Sequence, residues 1–185
     1  MISKETVLEG TLNIYKRKGI KFTMDELAKD LQVSKKTIYY LFDTKEKLFL
    51  KLVDYIFASI KESEQKIMED DSLDTITKIK KIMSVMPEKY QDIDFSKLHI
   101  LMKRYPVIYK KVVTYLETGW EMTFELLEKG KKEGVIRDVN LELVKHMMEA
   151  SLEQFFQKDV LVRNNITYNQ GLEEVVNILI DGISK

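Results

Sequence analysis

The sequence predicts an all-α fold, and three observations carry that reading. The 185 residues include only 7 Gly and 2 Pro, too few for a turn-rich β architecture. Apolar residues recur at three- and four-residue spacing along most of the chain. The one β-like run, Val160–Leu161–Val162, is too short to compete with a helical pattern. The expected architecture is an N-terminal three-helix helix-turn-helix module. A linking helix joins it to a larger helical bundle, with about nine helices in all.

Taken in order, Val7, Leu8, Leu12 and Tyr15 mark a first helix over residues 5–18, stopped by Gly19. Thr23 and Glu26 form a capping box, and Phe22 can staple onto Leu27. Leu27, Ala28 and Leu31 give this second helix an apolar edge, and it ends by Leu31 or Gln32. Ser34 caps a third helix, with Val33 and Ile38 repeating the staple pattern. Ile38 and Phe42 form its inner face. Small Ala28 lets the second and third helices cross closely, as in a helix-turn-helix.

Asp43 or Thr44 caps a longer fourth helix, from Lys45 to about Met68. Its stripe is Leu48, Leu52, Tyr55, Ile56, Ile60 and Ile67. The acidic stretch at 69–74 reads as a turn. Helical patterns resume over 73–86, closed by Pro87, and over 94–104. Pro106 opens a helix expected to run unbroken to Glu133, where Gly134 ends it. Asn140 caps the next, through Phe156. A polar loop holds Arg163, Asn164 and Asn165, and a last helix spans 168–183. The expected domains are 1–47 for DNA binding and 48–185 for ligand sensing and dimerisation.

Composition excludes several functions. The chain has no cysteine, so disulfides and thiolate chemistry are absent. It has no apolar run near the ~18 residues of a membrane span, and residues 1–10 do not read as a signal peptide. A cytoplasmic protein is expected. His99 and His146 are far apart and fit no metal motif. Glu121, Glu125 and Glu128 form a carboxylate stripe of the solvated kind. Gly130–Gly134 is a helix stop, not a phosphate loop. No enzyme activity, metal or cofactor is expected.

Charge is balanced over the chain but not along it. Residues 1–47 carry ten Lys or Arg against seven Asp or Glu, and the remainder twenty against twenty-three. The placement matters more than the excess. Lys35 and Lys36 fall in the first turn of the third helix, where the helix dipole disfavours cations by roughly 0.3–1 kcal/mol. Tyr39 and Tyr40 follow, and one face cannot bury both. A duplex beside this helix reverses the argument, because phosphates attract what the dipole repels. Thr37 can meet a base edge, and the phenols can reach phosphates or bases. Thr23 offers a hydroxyl and backbone N–H groups, and Lys45 opens the next helix with a positive charge. The candidate DNA contacts are therefore Thr23, Ser34, Lys35, Lys36, Thr37, Tyr39, Tyr40 and Lys45.

The same stretch, FTMDELAKDLQVSKKTIYYLFDTKEKLF, resembles the DNA-binding region of tetracycline-repressor-like (TetR) transcriptional regulators. The matching positions are Thr23, Ala28, Val33, Ser34, Thr37, Tyr39, Phe42, Lys45 and Leu48. Two positions depart. Gln32 stands in a turn where the family often has Gly, and Lys36 replaces a frequent small residue. The resemblance implies DNA contact at the eight candidate positions and raises the expectation of a ligand cavity.

A helix-turn-helix offers few base contacts, so two copies about 34 Å apart on a palindrome are expected. The 141–156 helix has apolar residues on two sides. Val144, Met148, Leu152 and Phe155, with Val176 and Leu179 of the last helix, are assigned to a dimer seam. Leu143, Met147 and Phe156 form the other side. Between module and seam, Met86, Met102, Tyr105, Trp120 and Phe124 are candidates for lining an apolar ligand pocket. The partners expected are double-stranded DNA, a second copy of the chain and a small molecule, with no membrane. The function expected is a repressor released by that molecule. The alternative is a DNA-binding regulator controlled by a protein partner.

Overall fold

A computed structural model describes residues 2–91, 93, 104–157 and 160–185. The helix expected over 94–104 and the candidate Met102 lie largely or wholly outside them. The described residues form helices joined by turns and short loops, with no strand. Their one β-bridge joins Ile136 to Ser184. The chain divides into two compact units. One is Met1–Ala58 with Ile100–Val112, and the other is Ser59–His99 with Val113–Lys185.

The first unit begins with α1, Lys4–Lys18, capped by Ser3, whose side chain accepts the Thr6 N–H. Val7, Leu8, Leu12 and Ile14 are buried on one side of it. Gly19 ends α1 with φ at +59°, and a 3-10 turn at Gly19–Lys21 leads on. Then come α2, Met24–Asp30, and α3, Lys35–Leu41. The capping box at Thr23 forms as the sequence indicates. Gly10 sits in a close approach: a Cβ there would lie 2.6 Å from Leu31 Cδ2, so the Leu31 side chain would have to shift. Phe22, Leu27, Ala28, Ile38, Phe42, Leu48, Phe49 and Leu52 complete this core. At ~25 cal/mol per Å² of apolar surface, burial of such side chains is the main stabilising contribution to so small a unit.

Helix α4, Lys45–Glu69, is continuous through both units. In the second unit, α5 spans Thr75–Met83 under an Asp74 cap. It stops short of the expected 86, and Pro87 instead precedes a 3-10 turn at Glu88–Tyr90. Tyr90 is fully buried there and donates its hydroxyl to Ser59 Oγ at 3.1 Å.

The helix expected over 106–133 is two helices, α6, Pro106–Thr118, and α7, Glu121–Glu133. The break has a physical cause. Gly119 is a poor helix former, and Lys61 Nζ takes its carbonyl at 2.5 Å. The Trp120 indole N–H donates to the Leu116 carbonyl at 2.8 Å. Side chains thus satisfy acceptors at the end of α6.

Gly134 ends α7 in the left-handed region, φ +77°. The chain continues through α8, Leu141–Gln157, the short α9, Val160–Arg163, and α10, Tyr168–Ile183. Helices α5 and α7, α5 and α10, and α8 and α10 pack in pairs. Leu127, Ile136, Met148, Val176 and Ile180 sit at the centre.

Candidate nucleic-acid interface

Burial sets the rotation of α3. Ile38 is fully buried and Phe42 nearly so. At 100° per residue, Lys36 and Tyr40 then lie opposite the buried edge, with Lys35 and Tyr39 together on one flank. The exposures follow that geometry: Tyr40 is 80% exposed and Tyr39 39%. Ser34 caps the helix by accepting the Thr37 N–H at 3.1 Å, and its hydroxyl is 2.8 Å from that of Thr37. Lys35 Nζ lies 5.8 Å from the Tyr39 ring centre. The pair of tyrosines therefore divides its work. Tyr39 is partly covered beside Lys35, and Tyr40 projects into solvent.

Most cations around this surface already hold a carboxylate. Lys35 pairs with Asp25 at 2.6 Å, and Lys18 with Glu26 at 2.6 Å. Arg17 pairs with Asp30 and Lys47 with Asp43. Lys36 is exposed and forms no ion pair among the described residues.

Thr23 is less available than the sequence suggests. Its backbone N–H donates to Glu26 Oε2 at 2.7 Å, and its hydroxyl accepts the Glu26 N–H at 3.1 Å. The Glu26 carboxylate therefore occupies the position an outside anion would take. The hydrogen bond from Lys18, then that from the Thr23 backbone, lowers its pKa to about 2.

Lys45 differs more sharply. Its ammonium is turned inward, donating to the Ile20 and Phe22 carbonyls and lying 4.2 Å from the Phe22 ring centre. Burial, and then the charge of Arg104, pushes its pKa down to about 8. Lys45 clamps the turn before α2 onto the start of α4; it is a positioning residue rather than a free phosphate ligand. Spacing alone could not separate the two roles, because both need a lysine at a helix start.

Comparison with known proteins places relatives beside this module. Residues 7–52 match the model for bacterial regulatory proteins of the tetR family. The helix-turn-helix module is therefore similar to that of the tetR-family regulators. An uncharacterized HTH-type transcriptional regulator, YvaF of Bacillus subtilis, is 28% identical over 178 residues, covering 96% of this chain and 94% of that one. A TetR transcription regulator from Haloarcula marismortui superposes with a TM-score of 0.76 at 17% identity, covering 98% of each chain. FadR from Bacillus subtilis, solved in complex with stearoyl-CoA, superposes with a TM-score of 0.66 at 17% identity, covering 98% of this chain and 100% of that one. At such identities the structures establish a shared TetR fold. The matched module, residues 7–52, is of the DNA-binding type found in such regulatory proteins.

The remaining candidates scatter. Trp120 and Phe124 are one turn apart, their ring centres separated by 6.2 Å, and both are half-buried. The indole N–H of Trp120 already caps α6, so only its ring face is available to a ligand. Tyr105 falls in the first unit, 6.3 Å from Phe49. Met86 is half-buried in the segment after α5.

The seam assignments need correction in their detail. Val144, Met148, Leu152, Phe155 and Val176 are buried inside the single chain, and Leu179 is half-buried. The outward apolar residues are Leu143, 62% exposed, Met147, 57%, and Ile178, 63%. The cause is the 100° step. Helix α8 carries two adjacent apolar stripes, and the one through 144, 148, 152 and 155 closes the core. Among the described residues no helix is long and apolar enough to cross a membrane.

Proposed function

We propose that this protein is a TetR-family regulator: a cytoplasmic homodimeric repressor that binds a palindromic operator and is released by a small, largely apolar ligand. Residues 1–47 carry the DNA contacts, and residues 48–185 sense and dimerise. The observation that carries the reading is the outer face of α3, where Lys36 and Tyr40 stand exposed opposite a buried Ile38. A lysine there makes the sequence-independent phosphate contact, while the phenol and Thr37 add groups that can meet phosphates or base edges. The second support is the apolar surface at Leu143, Met147 and Ile178. Exposed residues of this size gain most by packing against the same surface of another copy, which gives a two-fold dimer and hence two recognition helices.

Ligand release needs little energy. A 100-fold loss of operator affinity requires a preference of about 2.7 kcal/mol for the unbound arrangement. The fold shared with a protein solved with stearoyl-CoA makes long-chain acyl-CoA the first class to test.

The test is selection of duplexes from a random pool, followed by titration of the chosen site with acyl-CoA of graded chain length. A two-fold symmetric site whose affinity falls as ligand is added is the expected result. A site without symmetry removes the dimer reading. An affinity indifferent to every small molecule removes the sensing half and leaves control by a protein partner.

A further inference from the structure

We propose that Asp25 acts as a built-in competitor for DNA phosphate, holding Lys35 neutralised and so suppressing sequence-independent binding. The inference rests on the reading of α3 as the DNA-contacting helix. It goes beyond that reading by assigning a role to an acidic residue of the preceding helix.

The geometry is specific. Lys35 is on the flank of α3 and Asp25 is in the first turn of α2. The ammonium and carboxylate meet at 2.6 Å across the helix pair. Both side chains are more than half exposed, 59% and 56%, so the pair is in water and can exchange. The Tyr39 ring centre is also 5.8 Å from the Lys35 ammonium. A phosphate that takes Lys35 must displace Asp25 and then tolerate a carboxylate beside it. The bond from Asp25 raises the pKa of Lys35, so the lysine is charged and fully available to whichever anion wins.

The local pattern strengthens the case. Each of the three acids of α2, Asp25, Glu26 and Asp30, holds a different cation of this unit. Two of the three are not free to act otherwise. Glu26 closes the capping box, and Arg17 is bonded to its own helix through the Asn13 carbonyl as well as to Asp30. Asp25 suits the dipole at the start of α2, but among the described residues neither it nor Lys35 makes a capping hydrogen bond, their side-chain bond being the one to each other. Their pairing answers a need on the DNA side: lysine contacts add affinity for every sequence alike, while useful recognition depends on the ratio of specific to non-specific binding. A carboxylate that cancels one lysine lowers the general background most where no base contacts offset its removal.

The experiment compares the full-length wild type with Asp25→Asn, Lys35→Gln and the double variant. Affinity for a random-sequence duplex is measured across a salt series, with helicity checked by circular dichroism. Asp25→Asn is expected to tighten random-duplex binding by about two- to fivefold, the range of an exposed ion pair, and to steepen the log–log salt slope by up to ~0.9. In the Lys35→Gln background the same change is expected to do little. If Asp25→Asn tightens binding equally with and without Lys35, Asp25 acts only through bulk charge and the competitor role is overturned. If it changes nothing while Lys36→Gln weakens binding, the competitor role fails but the DNA surface stands. If neither acts, the surface itself is wrong.

Discussion

The outer surface of α3 and the outer surfaces of α8 and α10 both expose large side chains, and their chemistry is opposite. Helix α3 presents Lys36 and the phenol of Tyr40; α8 and α10 present Leu143, Met147 and Ile178. Each surface is costly alone and favourable against one kind of partner. A charged and hydroxylated face gains from a polyanion that releases counterions. A bare aliphatic face gains only from another apolar face, through surface removed from water. The difference teaches that exposure is not one signal; its chemistry names the partner.

The largest expected effect breaks the apolar side of this comparison. Leu143→Glu combined with Met147→Glu places two charges on the surface proposed as the dimer seam. If that proposal holds, sedimentation is expected to show dimer for the wild type and monomer for the variant, with helix content retained because both positions are exposed in the single chain. A variant that still sediments as dimer locates the seam elsewhere. The neighbouring Met148→Ala sharpens the contrast, since Met148 is only 2% exposed. It is expected to cost about 2–5 kcal/mol in denaturant unfolding, as a buried cavity does.

Next in size is the clamp. Lys45→Met keeps most of the apolar stem but removes the donor to the Ile20 and Phe22 carbonyls. Leaving those acceptors unpaired is expected to lower stability by about 1–3 kcal/mol. If Lys45 were instead a free phosphate ligand, the variant would weaken DNA binding with unchanged stability.

The polar side is probed by Lys36→Gln. Loss of one phosphate contact is expected to flatten the salt dependence of duplex binding by ~0.9 in log–log slope. A similar change at every sequence would identify Lys36 as a phosphate contact, and a change confined to the operator would identify it as a base reader. A pH series tests the capping carboxylate beside this surface. Glu26 has a folded pKa of about 2 against 4.5 for the free group. Its contribution to stability is therefore present above pH ~4.5 and fades as pH falls toward 2. Glu26→Gln is expected to flatten that acid limb, and an unchanged limb would show that Glu26 is not held this way in solution.

Much of this arrangement was legible in the sequence, and the failures share a cause. The caps at Ser34 and Thr23, the stop at Gly134 and the outward Lys36 and Tyr40 follow from local rules acting within four residues. The break at Gly119 was not legible, because Lys61 supplies the donor that stabilises it from 58 positions away. The inward turn of Lys45 likewise depends on carbonyls at 20 and 22. For α8 the two apolar stripes were visible, but their assignment to core or partner depends on how α8 packs against α10. Periodicity gives a helix its faces; only packing says which face is covered.

The smallest effect is the most local. Three connections share one backbone device, in which a left-handed residue follows the helix and two N–H groups turn back to its last carbonyls. Gln32 bonds to the Lys29 carbonyl and Val33 to that of Ala28; Gly134 bonds to Lys131 and Val135 to Gly130; Asn165 bonds to Val162 and Ile166 to Leu161. This is the Schellman pattern, which favours Gly and then Asn at its left-handed position. Gln32, with φ at +54°, is the outlier, and an L residue there costs roughly 1–2 kcal/mol. Gln32→Gly relieves that strain but loosens the unfolded chain, which returns ~0.4–1 kcal/mol. The expected outcome is a net stabilisation of up to about 1 kcal/mol by chemical denaturation, with α3 unchanged in place. A loss of stability would mean that the Gln32 side chain makes a compensating contact in solution, and that the turn between α2 and α3 is held by more than its backbone.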